Sequence, residues 1–137
     1  MIVVDTGVLY AVADRDDPDH IVSQKVLADR SAEPLLVPTT VITETAWLIE
    51  SRLGTSAEAA FLRAIHQGEL TRVDLTAEDW SRVIDLVEQY TDLGLGTVDA
   101  SIVAVAERLE VDVIATLNRR DFAVVQPSHV PAFDLIP

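Results

Sequence analysis

Three carboxylates stand alone in apolar surroundings. Asp5 is the only charged residue between Met1 and Ala13, Glu44 the only one between Leu35 and Ile49, and Asp99 the only one between Leu93 and Ala106. An ionised carboxylate in such a setting costs several kcal/mol unless a cation or hydrogen-bond donors compensate it. Three of them point to one shared compensator, and a metal ion fits best. A fourth acid, Asp121, follows the turn Thr116-Leu117-Asn118-Arg119-Arg120 and can reach the same place. The chain has no Cys and three scattered His, so thiolate zinc sites and Cys nucleophiles are excluded and any metal must be held mainly by oxygen. Hard oxygen ligands select Mg²⁺ or Mn²⁺, ions that act on phosphate esters. The competing reading, in which each acid caps a helix or pairs with an Arg, suits any one of the three better than it suits all three.

Hydroxyls sit beside these acids. Thr6, Thr97 and Thr116 are placed to orient a carboxylate or a metal-bound water, with helix capping an equal explanation for Thr97. Arg119 and Arg120 form the only adjacent basic pair and suit either a phosphate contact or a solvated turn. His20 near a helix start reads as a surface residue before an RNA contact, and His66 and His129 lack ligand spacing. Trp47 and Trp80 read as core or dimer contacts before base-stacking platforms. Gly94-Leu95-Gly96 lacks the rest of either nucleotide fingerprint.

The elements that must position these groups alternate between short apolar runs and longer helical ones, which is the pattern of an α/β fold with a mostly parallel central sheet and helices on both faces. Strands are expected at Ile2-Val3-Val4, Leu35-Leu36-Val37, Leu70 to Val73 and Val111 to Ala115, with Phe122 to Val125 and Phe133 to Ile136 as edge strands or extended tails. Helices are expected over Thr6 to Asp14, from Asp19 to Arg30, from Thr39 or Thr40 to Leu53, and from Thr55, spaced with Glu58 as a capping box, to Gly68. Two more follow: an amphipathic helix after Thr76 and Asp79, and an apolar one over Thr97 to Leu109. In a doubly wound sheet, Asp5, Glu44 and Asp99 then fall at the carboxyl ends of the strands, where ligands bind at the topological switch point.

Composition bounds the rest. At 137 residues, the chain is the size of one ordinary domain, and 1–137 is read as a single domain. Its 49% hydrophobic content excludes disorder. No uncharged apolar run has membrane-helix length, and no basic residue precedes the run Met1 to Val4, so a cytoplasmic protein is expected. Twenty-three acidic against ten basic residues give a net charge of −13, which excludes nucleic-acid binding through a broad positive surface.

Asp5-Thr6 after a strand, Glu44 within Val41-Ile42-Thr43-Glu44, Thr97-Val98-Asp99-Ala100 opening a helix, and the run from Ile114 to Phe122 together resemble the PIN-domain ribonucleases, in particular the VapC-type toxins of bacterial toxin–antitoxin pairs. The resemblance spans essentially the whole chain. It implies a PIN-like fold, a metal-dependent endoribonuclease, an RNA substrate, frequent homodimerisation and inhibition by a cognate VapB-like antitoxin. Many family members carry Asp where this chain has Asn118, so the fourth oxygen comes from Asp121 or from the Asn118 amide.

The mechanism expected has one or two Mg²⁺ or Mn²⁺ ions held by Asp5, Glu44, Asp99 and Asp121, activating water for in-line attack on an RNA phosphodiester. Thr6, Thr97, Thr116 and Asn118 support these groups, and Arg119 and Arg120 contact RNA. The antitoxin is expected to reach Asp5, Glu44 and Asp99 with an Arg-bearing segment. Two other acidic α/β classes lack a necessary residue. A haloacid-dehalogenase phosphatase needs Asp at position 7, which is Gly, and a receiver domain needs a late Lys, whereas the only lysine is Lys25. The remaining alternative is a catalytically weakened PIN-like binding module, which Asn118 keeps open.

Overall fold

A computed structural model describes residues 1–137. The elements run β1 (Ile2–Val4), α1 (Thr6–Ala13), α2 (His20–Asp29), β2 (Leu35–Pro38), α3 (Thr39–Leu53), α4 (Thr55–His66), β3 (Thr71–Val73), α5 (Ala77–Gln89), α6 (Thr97–Leu109), β4 (Val113–Ala115), α7 (Arg119–Val124) and β5 (Asp134–Ile136). The five strands form one sheet in the order β3-β2-β1-β4-β5, and every pairing is parallel.

Side chains along a strand alternate between the two faces of a sheet, and in β1 Ile2, Val3 and Val4 are all fully buried. Both faces of the sheet centre are therefore covered by helices, as parallel sheets require. α6 explains much of that cover. Ala100 to Ala106 is an unbroken buried run, so this helix is enclosed on all sides, and its small residues allow close approach to the sheet. Twenty-three buried apolar residues from β1, β2, β4, α1, α3, α5, α6, α7 and the adjoining loops form one connected cluster. No helix is long and apolar enough to cross a membrane.

The strand order sets the site. From β1 the chain builds outward to β2 and β3, then returns to the other side of β1 to lay down β4 and β5. The switch point lies between β1 and β4, whose register pairs Val3 with Ile114 and Val4 with Ala115. The next residues along the two strands are Asp5 and Thr116.

Several local expectations change. Phe122 to Val125 is not an edge strand. Residues 119–124 form α7, whose Phe122 is buried while Ala123 and Val124 are exposed, a one-sided pattern suited to a short helix against the core. The run Phe-Ala-Val-Val carries no periodicity from which to choose between the two. Val111 lies just outside β4, and Leu70 just outside β3. Thr55 does not cap α4: Gly54 occupies that place with a φ of 91°, a conformation that glycine accepts without a Cβ clash, and no side chain caps the helix. α3 likewise starts after Pro38 without a side-chain cap. The Thr76–Asp79 capping box does form in both directions, with bonds of 3.1 and 3.0 Å.

Candidate active site

Asp5 leaves β1 in extended conformation and becomes the N-cap of α1, its Oδ1 accepting from the Thr6 backbone N–H at 2.7 Å. The β1–β4 ladder continues past the last paired residues, since Asp5 N–H donates to the Ala115 carbonyl at 2.9 Å. That register brings Thr116 alongside, and its hydroxyl donates to Asp5 Oδ2 at 2.7 Å. Both Asp5 oxygens are thus held by protein donors, and the residue is 6% exposed. Burial nevertheless dominates and pushes the Asp5 carboxyl above its ordinary value, with the Glu44 charge adding to the rise and the Thr116 and Thr6 bonds opposing it.

Glu44 lies half-buried in the second turn of α3, and Asp99 lies half-buried in the first turn of α6. A helix N-terminus favours a carboxylate by only ~0.3–1 kcal/mol. At Asp99 that preference is outweighed. Burial, then the charges of Asp5, Asp121 and Glu44, push its carboxyl up to about 7, against a weaker opposing effect of the Asn118 bond. These three neighbours are the other three acids singled out in the sequence.

Asn118 bridges the other side of the cluster. Its Nδ2 donates to Asp99 Oδ2 at 3.2 Å and to Asp121 Oδ2 at 3.0 Å, while its backbone N–H donates to Thr116 Oγ1 at 2.9 Å. One amide, using both of its N–H groups, therefore links two carboxylates that would otherwise repel. The sequence placed Asn118 at the site without signalling this bridge, because its two partners lie 19 and 3 residues away on different helices.

The remaining candidates separate. Thr6 Oγ1 is buried beside Asp5 with no hydrogen-bond partner. Thr97 is exposed at the first position of α6, where Gly96 is the cap, and its side chain joins none of the hydrogen bonds around Asp99. Arg119 is drawn away: its guanidinium donates to the backbone carbonyls of Leu135, at 3.0 Å, and Pro137. Arg120 is largely exposed, 3.5 Å from Asp121. The imidazoles also lie elsewhere, with His20 bonded to the Ala11 carbonyl at 2.7 Å, His129 to that of Val111 at 2.8 Å, and His66 exposed at the end of α4. Trp47 and Trp80 are not core residues, being 64% and 45% exposed.

These observations test whether a hard dication suits the site. The available donors are carboxylate, hydroxyl and amide oxygens, the buried Thr6 hydroxyl is unpartnered, and no Arg or Lys neutralises Asp5 or Asp99. In kind, this set fits Mg²⁺ or Mn²⁺. The carboxylates act on one another electrostatically, but no three acids or imidazoles close on a single point. Asp5, Glu44, Asp99 and Asp121 are the residues that would hold such an ion.

Comparison with known proteins identifies the family and the fold. The family model described as the PIN domain matches residues 2–126. The chain is 33% identical over 135 residues to Ribonuclease VapC26 of Mycobacterium tuberculosis (strain ATCC 25618 / H37Rv), covering 98% of this chain and 99% of the relative. Its fold is similar to the crystal structure of M. tuberculosis VapC20, a sarcin-ricin loop cleaving toxin, with a TM-score of 0.76, 22% identity, and coverage of 83% of this chain and 87% of that one. It is also similar to VapBC2 from Rickettsia felis bound to a promoter DNA fragment, with a TM-score of 0.72, 14% identity and full coverage of both chains. A toxin–antitoxin complex from Klebsiella pneumoniae matches with a TM-score of 0.70 and 18% identity over 98% of this chain and 100% of that one.

Proposed function

The chain belongs to the PIN-domain family and its VapC group, and from that premise we propose that it is a divalent-metal-dependent endoribonuclease, acting in the cytoplasm as the toxin of a toxin–antitoxin pair. The observation that carries this reading is the grouping of four carboxylates near the β1–β4 switch point, close enough that Asp5, Asp121 and Glu44 add to burial in raising the Asp99 carboxyl to about 7. Such a cluster is electrostatically unfavourable without a cation, so it is organised for something other than stability. Residues 1–137 act as one PIN-like domain, RNA is the substrate, and a VapB-like antitoxin and a second copy of the chain are the partners.

Bound there, Mg²⁺ or Mn²⁺ supplies Lewis acidity and lowers the pKa of coordinated water. The chain's own residues orient and hold. Thr116 and the Thr6 N–H hold the Asp5 carboxylate in one rotamer, and Asn118 keeps Asp99 and Asp121 directed toward the shared space. Without the ion, Asp99 keeps its proton up to about 7; with a dication bound, Asp99 would give up that proton, stay ionised and serve as a ligand. A histidine acid–base pair, the other common means of cutting RNA, is not available, because all three imidazoles lie outside the cluster.

The decisive assay incubates purified, antitoxin-free protein with structured RNA in EDTA, Mg²⁺ and Mn²⁺. Cleavage confined to the metal-containing reactions and lost in Asp5→Asn supports the reading. Undiminished cleavage in EDTA overturns the metal requirement, and a folded protein that binds RNA but cuts it in neither metal is the binding module instead.

A further inference from the structure

A cleft of ≈ 570 Å³ opens beside the acid cluster and shares Glu44 with it. Trp80, Leu75 and Val98 form its apolar wall, and Thr43, Glu44 and Asp74 are among its polar lining. The turn that carries Trp80 is rigid. Its N–H bonds to the Thr76 carbonyl at 3.1 Å, the capping box closes the same turn, and the preceding Asp79 receives Arg108 Nε at 2.9 Å. The indole of Trp80, 45% exposed, thus presents a π-face from a backbone that is already ordered.

The polar lining has a definite sense. Thr39 Oγ1 donates to Asp74 Oδ1 at 2.8 Å, Arg72 Nε pairs with that same oxygen at 3.1 Å, and Thr43 Oγ1 donates to the Thr39 carbonyl at 3.1 Å. These hydroxyl protons are taken up by acceptors within the lining itself, so the cleft is left offering acceptors: Asp74 Oδ2, the Glu44 carboxylate and hydroxyl lone pairs. A rim of acceptors repels phosphate and welcomes N–H. A flat ring with N–H groups on its edge satisfies both the wall and the rim.

We propose that this cleft is a nucleobase subsite, in which Trp80 stacks on one base of the bound RNA and Asp74 accepts an N–H from its edge. Adenine, guanine and cytosine carry an exocyclic amino group, whereas the single edge N–H of uracil lies between two carbonyl oxygens that a rim of acceptors disfavours, so uracil is the weakest occupant. The inference rests on the ribonuclease reading and adds to it a determinant of which RNA is held.

The test uses the full chain with Trp47→Phe, which leaves Trp80 as the only indole. Hexanucleotides of A, C, G or U are titrated in Ca²⁺ while tryptophan fluorescence is followed. Binding is expected to quench Trp80, with the U hexamer weakest. Trp80→Leu, which keeps apolar bulk without a π-face, is expected to weaken binding by roughly tenfold, and Trp80→Phe to stay within about threefold of the parent. Asp74→Asn is expected to narrow the gap between U and the other bases. Hexamers that bind without quenching, or equal binding by the parent and Trp80→Leu, overturn the subsite while metal-dependent cleavage leaves the ribonuclease reading standing. A fall in sedimenting mass in Trp80→Leu, with equal weakening for all four bases, assigns the indole to a second copy and also overturns it. Absence of both hexamer binding and cleavage removes the ribonuclease reading and the subsite together.

Discussion

Two groups of buried acids lie on opposite terms with their surroundings. On the α5–α6 seam, Asp79 is 3% exposed and receives Arg108 Nε on both oxygens, at 3.1 and 2.9 Å, while Arg82 forks onto Glu107 at 2.9 and 3.0 Å. At the β1–β4 switch point, Asp5 is almost as buried and Asp99 half so, yet their hydrogen bonds come from neutral hydroxyl, amide and peptide groups. The seam acids have guanidinium partners and hold two helices together. Asp5 and Asp99 have no cationic side chain bonded to them, and the one guanidinium nearby, that of the largely exposed Arg120, lies against Asp121 at 3.5 Å.

The widest separation between the two groups should come from activity. Asp99→Asn keeps the side-chain volume and the bond geometry but removes the charge, and metal-dependent RNA cleavage should fall by more than the ~100-fold typical of outer-shell changes, with the melting temperature in EDTA unchanged or raised. Cleavage retained at the wild-type level would place Asp99 with the structural acids. Arg108→Ala is the counterpart on the seam: it strands Asp79 in the core and should cost about 3 kcal/mol in denaturant unfolding, with cleavage per folded molecule preserved. A loss of stability under about 0.5 kcal/mol would show that the seam owes little to its ion pairs.

A smaller difference should appear with pH. The Asp99 carboxyl keeps its proton to about 7 in the folded chain and only to its ordinary 3.8 when unfolded, so the folded state binds more protons across that interval and apo stability falls as pH rises from about 4 to about 7. Asp5 is shifted in the same direction. Asp14 and Glu33 are shifted downward, by the Tyr10 hydroxyl and by Arg30 respectively, and the stability they lend is lost only as pH falls below the ordinary carboxylate range. Thermal melts in EDTA across this range should slope downward for wild type and flatten in Asp99→Asn; parallel slopes would remove Asp99 as their source. The smallest effect tests the seam's far end, where α6 closes on Glu110 in left-handed conformation with φ 54°. Glu110→Gly relieves that strain and should raise stability by up to about 1 kcal/mol without affecting cleavage, as read in urea unfolding.

How much of this was legible differs between the two groups for a physical reason. Asp5, Glu44 and Asp99 could be read because each breaks an apolar run, and burial of the run implies burial of the charge. The parallel sheet and its helices could be read from the same runs. Asp79 and Arg108 look like ordinary surface charges in sequence, since 29 residues separate them and only the packing of α5 on α6 joins them. Arg119 carries the chemistry of a phosphate contact, but its use on the Leu135 and Pro137 carbonyls depends on where β5 ends. Trp80 sits among Val83, Ile84 and Val87 and so resembles a core residue, whereas the structure puts Trp80 and Ile84 on the outer side of α5.

The order of the strands also governs when the site can exist. Asp5 follows the first strand of the sheet, but its partner Thr116 lies 111 residues later, and β4, which carries Thr116 to its side, is made only after β2 and β3. Contacts of such long sequence separation form late in folding. A nascent chain therefore carries Asp5, Glu44 and even Asp99 past the translation machinery as an incomplete set. The Asp5–Thr116 bond, and with it the side of the site that β4 supplies, is thus among the last parts of the chain to become available.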